Sequence, residues 1–282
     1  MNTGGSRGFR PGVRIATSRR ATTLLELVVE ELAKAPPPSR LNALDLIDLG
    51  AVYVNDGRSL NPNHPLKPGD TVRIHTEPRR FTPPTDLLAR ILSETDDYLV
   101  LEKPPGLPVE PLVDNVKENL ISFLEDLRGQ RLFFVHRLDP ESEGLLAVAK
   151  SQTAAAKLSK AFAEGRVKRL YAVYTESPIS VQGDDVIRIL SINELNAETN
   201  VLTENRTMWE IKGAPIQRAY RLEIEFTKAR PKEIRSFFAS LGTPIIGDRA
   251  MGSARELLDP RTGKHTLALK ALSLSFEGDR SE

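Results

Sequence analysis

The chain has 282 residues, of which 40% are hydrophobic and 27% are charged, and its formal net charge is +1. These values are typical of folded globular protein and exclude a surface that is basic throughout. The absence of cysteine excludes disulfides and cysteine-ligated zinc or iron–sulfur sites, which fits a reducing compartment. The four histidines have no ligand spacing, so we predict no metal site. No apolar run approaches the roughly 20 residues that cross a bilayer, and we expect no membrane association.

The first twenty residues contain five arginines and four glycines but no acidic residue. Such a segment buries too little apolar surface to fold alone, so we predict a flexible tail over residues 1–20. Three interpretations fit it: a solvated tail, an RNA-contacting arm, or an organelle transit peptide. Without a transit peptide we expect a cytoplasmic protein.

Two helices and two strands are predicted between residues 21 and 80. Apolar residues recur at helical spacing from Thr22 to Lys34, and a second helix runs from Leu41 to Ile47 and stops at Gly50. Strand patterns follow in AVYVNDGRSL, with an Asn-Asp-Gly turn, and in LKPGDTVRIH. This order resembles the S4-type RNA-binding module, which implies a small α/β RNA-binding domain. Arg40, just before the second helix, is then expected to contact RNA.

Pro83 and Pro84 indicate a linker over residues 81–90, and an α+β domain is predicted over residues 91–282. A strand from Tyr98 to Glu102 leads into the loop KPPGLPVEP, and a helix follows. The next segment, FFVHRLDPESEGLLAVAK, is predicted to form a strand, a polar loop and a second strand. Asp139 stands at the loop apex, where a lone carboxylate between buried strands is costly unless it is paired or used.

The remaining elements supply two further candidates for a site around this carboxylate. A helix is predicted from Ser151 to Gly165, and the strand RVKRLYAVYTES after it carries Tyr171. The weak pattern from Glu176 to Lys212 predicts a strand-and-loop region peripheral to the chemistry. Clean alternation then predicts a strand up to Phe226, and a helix that begins near Pro231 has Arg235 off its apolar stripe.

An aspartate, a tyrosine on a strand and an arginine at a helix start allow more than one interpretation. A carboxylate acts as nucleophile or base, and a neighbouring arginine keeps it ionised. Alternatively, Asp139 and Arg235 form a buried structural ion pair and Tyr171 only fills the sheet. Residue types and spacing alone leave both open.

Five segments in order resemble the RluA-type pseudouridine synthases: DDYLVLEKPPGLPV, HRLDPESEGLLAVAKS, KRLYAVY, GAPIQRAYRLEIEF and IRSFFASLGTPIIGD. The resemblance implies a catalytic domain built on a mixed, mainly antiparallel sheet with flanking helices. It implies that Asp139 attacks or deprotonates a flipped-out uridine, that Tyr171 stacks on the base, and that Arg235 pairs with the aspartate. No metal or redox cofactor is implied.

The resemblance also implies an RNA partner, in rRNA or tRNA, and we expect a monomer. Arg137 of the HRLD segment is predicted to fill the space that a flipped base vacates or to contact phosphate, whereas His136 is predicted to be structural. Arg169 and Lys103, on basic strand ends of this domain, are further candidates for RNA contact.

Three segments depart from the family pattern. The usual GRTHQIR is here Ala229 to Arg235, in which four polar or glycine positions have changed while the final arginine remains. The usual Thr-Ser pair is Ser142-Glu143, and a frequent histidine is Glu110. We expect the two acids to add negative charge near the RNA path. The alternatives to an RNA isomerase are an S4-containing RNA-binding paralogue without catalysis and a carboxylate-dependent sugar hydrolase. The hydrolase is disfavoured because such enzymes generally need two carboxylates.

Overall fold

A computed structural model describes residues 12–34, 41–179, 187–204, 207–226 and 231–276. The chain forms two compact units, the first comprising residues 1–82 and 111–119 and the second comprising residues 83–110 and 120–282. Arg40 and most of the altered segment from Ala229 to Glu233 fall outside the described residues or have no described side chain. Within these ranges, no helix has the length and apolar character that a bilayer crossing requires.

The first unit has a small antiparallel sheet and two helices. Its elements are β1 (Val13–Thr17), β2 (Thr22–Thr23), α1 (Leu24–Lys34), α2 (Ala43–Asp48), β3 (Val52–Val54), β4 (Gly57–Arg58), β5 (Pro65–Leu66) and β6 (Thr71–His75). The sheet has the order β1-β6-β3-β4, and β2 pairs separately with β5. Both helices bury an apolar face in the same core as the inner strands.

Local sequence signals explain the ends of these elements. Asn42 caps α2 in a reciprocal capping box with Asp45, which satisfies two backbone N–H groups at the helix start. Asn55 and Asp56 adopt φ values of 47° and 68°, as the two-residue hairpin between β3 and β4 requires. The two predicted helices and the predicted turn are therefore present.

The flexible tail predicted over residues 1–20 is wrong for Val13–Thr17. This segment forms β1, which pairs antiparallel with β6 from Val13 opposite His75 to Thr17 opposite Thr71. Ala16 is buried in the core of the first unit. An arginine-rich composition did not prevent pairing, because an edge strand needs only backbone hydrogen bonds and one inward side chain.

The second unit is larger and mostly β. Its elements are β7 (Ile91–Glu94), β8 (Tyr98–Lys103), α3 (Leu120–Arg128), β9 (Phe133–Phe134), β10 (Glu143–Ala149), α4 (Gln152–Glu164), β11 (Val167–Thr175), β12 (Ile187–Thr199), β13 (Val201–Glu204), β14 (Thr207–Lys212), β15 (Ile216–Phe226), α5 (Pro231–Ser240), β16 (Glu256–Leu258), β17 (His265–Thr266) and β18 (Leu269–Phe276). Single 3-10 turns lie at Leu88–Arg90 and Arg249–Met251.

The main sheet of this unit is mixed and mainly antiparallel, which confirms the predicted fold class for the catalytic region. Its order is β12-β15-β11-β18-β10-β8-β7, with β9 paired to β10. Among the described pairs of this sheet, only β10 with β18 is parallel. A second sheet has the order β13-β14-β16-β17. Helix α4 packs beside β10 and β9, capped by Ser151 and ended by Gly165 in the left-handed conformation, as predicted.

The strand-and-loop region predicted over residues 176–212 is present, and its strands are built into both sheets of this unit. The segment contributes β12 to one edge of the main sheet, and β13 and β14 to the second sheet. Trp209, on β14, is fully buried and packs edge-to-face on Tyr174 of β11. The pattern was weak because the buried positions include Thr207 and Glu204, whose polar character hides a strand periodicity.

Candidate active site

Asp139 lies in the loop that joins β9 to β10, as the hydrophobic–polar–hydrophobic pattern predicts. Its carboxylate side chain is 21% exposed, so it is open to a small part of a ligand while protein surrounds most of it. The preceding residue, Leu138, is buried and fixes the loop to the core. The loop therefore presents one acid from a rigid scaffold.

The ammonium group of Lys103 holds the backbone of this loop. Its Nζ donates to the carbonyl oxygens of Pro104, Pro140 and Ser142 at 2.9, 3.1 and 2.8 Å. Burial lowers the pKa of Lys103 to about 7, although the nearby acids Glu143, Glu141 and Asp139 oppose this effect. The lysine thus ties the KPPGL loop to the residues that follow Asp139.

Backbone contacts complete the attachment of the loop. The amide of Gly106 donates to the Pro140 carbonyl at 2.7 Å. At the far end Gly144 has φ +113°, and a Cβ there would lie 2.2 Å from the carbonyl oxygen of Ala271 on β18. Only glycine allows so close an approach of two strands. The segment that carries Asp139 is therefore attached to neighbouring segments at Pro140 and at Gly144.

Arg235 lies on α5, 96 residues after Asp139 in the chain, and forms an ion pair with the Asp139 carboxylate. Its Nη1 donates to Asp139 Oδ2 at 2.7 Å, while its Nε and Nη2 donate to Asp248 at 2.6 and 2.7 Å. The guanidinium is 13% exposed and Asp248 is 1% exposed. The hydrogen bonds that Arg235 donates to Asp248 and to Asp139 raise the pKa of Arg235, despite its burial. The arginine is a permanent cation that orients the Asp139 side chain.

Asp248 was not predicted as a site residue. It lies in the loop after α5, where its backbone amide donates to the carbonyl oxygen of Ile245. Its buried carboxylate accepts hydrogen bonds from both Nε and Nη2 of Arg235. The sequence contains one signal for it: an acid in the glycine-rich segment PIIGD that ends the resemblance. Bidentate pairing leaves Nη1 as the donor that points at Asp139.

Tyr171 lies on β11 opposite Ile224 of β15 and Ala271 of β18. The side chain is only 1% exposed, and its ring packs edge-to-face on Phe226 with centroids 5.3 Å apart. Burial raises the pKa of its phenol, and the negative charge of Asp139 raises it further. The phenol is therefore neutral and close enough to Asp139 to respond to its charge.

Taken together, the site has one partly exposed carboxylate, a fixed cation and a neutral phenol. Among the described residues, no group of three or more histidine, aspartate or glutamate side chains is arranged to hold a metal ion. Such an arrangement supports nucleophilic or base chemistry by a single carboxylate on a substrate that brings its own leaving group.

Comparison with known proteins identifies the family. The sequence profile of the family described as RNA pseudouridylate synthase matches residues 97–240, which include Asp139, Tyr171 and Arg235. The chain belongs to the RNA pseudouridylate synthase family. It is accordingly an isomerase that converts uridine to pseudouridine in RNA, as the resemblance predicted.

Individual relatives agree with this assignment. The chain is 29% identical over 240 residues to an uncharacterized RNA pseudouridine synthase of Aquifex aeolicus, covering 78% of this chain and 75% of the relative. It is 27% identical over 236 residues to ribosomal large subunit pseudouridine synthase D of Zymomonas mobilis, covering 77% and 74%. Among solved structures, human RNA pseudouridylate synthase domain containing 4 aligns with a TM-score of 0.45 at 19% identity, covering 68% of this chain and 85% of that structure.

Two residues predicted to contact RNA in this synthase are buried. Lys103 has no exposed surface, and its ammonium group already serves three carbonyl oxygens. Arg169 is 6% exposed and its guanidinium lies over the ring of Phe162, 5.7 Å from the centroid. The structure argues against direct phosphate contact by either side chain, because a lysine or arginine head group needs an open path to the RNA. Arg137, by contrast, is 59% exposed and forms an ion pair with Glu110.

The expectation that Glu143 adds charge near the RNA path is wrong. Glu143 is 3% exposed, and its carboxylate accepts hydrogen bonds from Trp209 at 2.6 Å and from Thr207 at 3.0 Å. Burial raises the pKa of this carboxyl. The hydroxyl of Thr207 also accepts a bond from Lys270, whose ammonium pairs with Glu102 at 2.8 Å. The unusual acid therefore joins β10, the strand after the Asp139 loop, to β14.

Glu143→Ala is expected to lower the free energy of unfolding by about 1–3 kcal/mol, because the buried indole N–H of Trp209 loses its acceptor. Lys270 retains Glu102, so the larger cost of an unpaired buried charge does not arise. Glu143→Gln keeps an acceptor oxygen and should cost less than the alanine variant. Urea unfolding of the three proteins checks this; equal stability of Glu143→Ala and the wild type would contradict it.

The structure supports a structural rather than catalytic place for His136 in the synthase. Its Nε2 accepts a hydrogen bond from the amide of Ala147 at 2.9 Å, its Nδ1 is buried, and its ring stacks on Phe162. Burial, with a smaller contribution from Arg169, lowers the pKa of His136 from 6.5 to about 3. The ring is therefore neutral in the folded protein near pH 7.

This lowered pKa predicts an acid-sensitive stability. Between the folded and unfolded pKa values only the unfolded chain binds the proton, so stability is lost as the pH falls below about 6.5. We expect the wild type to lose about 1–2 kcal/mol more than His136→Gln between pH 7 and pH 5. Urea unfolding at both pH values checks this. Parallel losses in the two proteins would show that His136 is protonated in the fold.

Proposed function

We propose that this isomerase acts on a uridine in structured RNA, in rRNA or tRNA, and that Asp139 is its catalytic residue. The observation that carries the proposal is the 2.7 Å hydrogen bond from Arg235 to Asp139, held in place by the bidentate contact with Asp248. A structural ion pair needs no partly open carboxylate, whereas Asp139 is 21% exposed. A partly open acid held in a fixed orientation suits a reacting group.

The reaction rearranges bonds without net loss of atoms. The N1–C1′ bond of the uridine breaks, the uracil turns, and a C5–C1′ bond forms. The proton on C5 is then removed while N1 gains one. In our proposal Asp139 acts on the flipped-out nucleotide either as the nucleophile or as the base, and Arg235 keeps it ionised for both roles.

The proposed role of Tyr171 follows from its place beside Asp139. A neutral phenol on the rigid strand β11 offers an aromatic surface and a hydroxyl to a base that enters the site. Because the side chain is only 1% exposed, an entering uracil has to displace neighbouring atoms before it stacks on the ring. We place Tyr171 in base contact and final proton transfer on these grounds.

We further propose that the first unit is an S4-like RNA-binding domain of the enzyme. Two helices followed by the β3–β4 hairpin and β6 support this, since the sequence resemblance rested on the same order. We expect the protein to act as a monomer in the cytoplasm, or in an organelle if residues before β1 form a transit peptide.

The competing function is an RNA-binding paralogue without turnover, favoured by the altered segment before Arg235. The deciding experiment incubates the purified wild-type chain with rRNA and tRNA pools from cells that lack it and maps pseudouridine at nucleotide resolution. New pseudouridine at defined positions supports the isomerase. RNA binding without any pseudouridine on either pool would establish the binding protein instead.

A further inference from the structure

Glu110 forms an ion pair with Arg137, which lies in the same loop as Asp139. Arg137 stands two residues before Asp139 and its side chain is 59% exposed, whereas Glu110 is 26% exposed and ends the loop KPPGLPVE. The Nη1 atom of Arg137 donates to Glu110 Oε1. This exposed guanidinium is thus already paired with an acid of its own chain.

The two loops that carry this pair are fixed relative to each other. Lys103 binds the carbonyls of Pro104 and Pro140, and the amide of Gly106 also binds the Pro140 carbonyl. Leu107 and Leu138 are both 2% exposed. The two loop backbones therefore cannot separate easily, and the pair is broken by rotation of the Arg137 or the Glu110 side chain.

A phosphate that approaches Asp139 meets this pair before it meets a free guanidinium. To bind RNA, Arg137 must exchange the Glu110 carboxylate for a phosphate. The free energy needed to break the ion pair therefore offsets part of the binding free energy of the phosphate. RNA that merely lies on the surface gains one contact from this exchange. A substrate that delivers a uridine to Asp139 gains further contacts in the site, and these offset the exchange.

We propose that Glu110 restrains Arg137 and thereby weakens the binding of RNA at the loop that carries Asp139. The proposal rests on the proposed function of Asp139 for the identity of the productive substrate. An exposed ion pair contributes about 0.2–1 kcal/mol, which corresponds to an affinity change of up to about fivefold. We therefore expect a modest but measurable effect on the affinity for RNA.

The first test is a double-mutant cycle on full-length protein with a short fluorescent oligouridylate as the probe. Anisotropy titrations compare the wild type, Glu110→Gln, Arg137→Gln and the double variant at two salt concentrations. Glu110→Gln should bind about two- to fivefold more tightly than the wild type. In the Arg137→Gln background the same change should have little effect, because the restrained cation is gone.

A charge-matched control separates restraint from long-range repulsion. Glu141 lies in the same loop as Arg137, and no ion pair joins these two described residues. Glu141→Gln removes the same charge, and its effect should be equal with and without Arg137. An equal gain from Glu110→Gln in both backgrounds, or no gain in either, would overturn the proposal.

The second test measures the same weakening of RNA binding during turnover. Pseudouridine formation on RNA from cells that lack the protein is followed while oligouridylate is added as a competitor. Half-inhibition of Glu110→Gln should need about two- to fivefold less competitor than half-inhibition of the wild type. Unchanged inhibition would refute the effect of Glu110 on RNA binding. Absence of pseudouridine with the wild type would refute the proposed function alone, since the binding cycle still reports on the ion pair.

Discussion

Asp139→Asn is expected to reduce pseudouridine formation by at least about 1000-fold while the protein stays folded and bound to RNA. Asparagine keeps the size of the side chain and can still accept a hydrogen bond from Arg235, so the loop between β9 and β10 should retain its shape. It is neither a nucleophile nor a base, so neither role proposed for Asp139 survives. Single-turnover assays with excess enzyme measure the chemical step directly.

The matched control is Asp126→Asn, the same change at an exposed position on α3. Its rate should equal that of the wild type. Thermal unfolding and anisotropy binding of Asp139→Asn should also match the wild type within error. A rate within tenfold of the wild type would remove Asp139 from the chemistry and make its pairing with Arg235 a structural feature.

Arg235→Ala is expected to lower the rate by about 100-fold or more, because Asp139 loses the cation that orients it and favours its charge. Stability should fall as well, by about 3 kcal/mol, because Asp248 is left buried without a partner. The rate loss and the stability loss have different causes. Single-turnover rates and urea unfolding separate the two effects.

The double variant Arg235→Met, Asp248→Asn provides the control for stability. It removes both buried charges while methionine preserves much of the arginine stem, so it should regain much of the stability that Arg235→Ala loses. Its rate should stay low, since no cation faces Asp139. Recovery of rate together with stability would show that Arg235 acts only by holding the fold.

Sequence patterns identified Asp139 and Arg235 as candidates because each residue has a local signature. Asp139 interrupts two hydrophobic strands, and Arg235 lies off the apolar stripe of a helix start. The family resemblance then predicted that they meet. The 2.7 Å contact across 96 residues agrees with that prediction.

The burial of charged side chains could not be predicted from local sequence patterns. Lys103, Arg169 and Glu143 are charged residues on strands, and such residues usually lie at the surface. In this protein each is buried with compensating partners: three carbonyl oxygens for Lys103, the Phe162 ring for Arg169, and Trp209 with Thr207 for Glu143. These partners come from distant segments, which no local pattern connects.

Asp248 could not be predicted from local sequence patterns either, although it lies in the site. A single acid in a glycine-rich loop has no periodicity and no neighbour in sequence that identifies its partner. Its role depends on the loop after α5 returning to the guanidinium of Arg235, which is a property of the tertiary fold. The short strand β1 escaped prediction for a related reason, because its partner β6 lies more than fifty residues later.

The close contact between Gly144 and Ala271 affects the order in which the site is built. Strand β18 lies between β10 and β11, so the strands on which Asp139 and Tyr171 depend are joined only by one of the last described segments of the chain. During synthesis from the N-terminus, the loop with Asp139 leaves the ribosome well before the strand that fixes its end. The enzyme can therefore become active only once β18 has been inserted between β10 and β11.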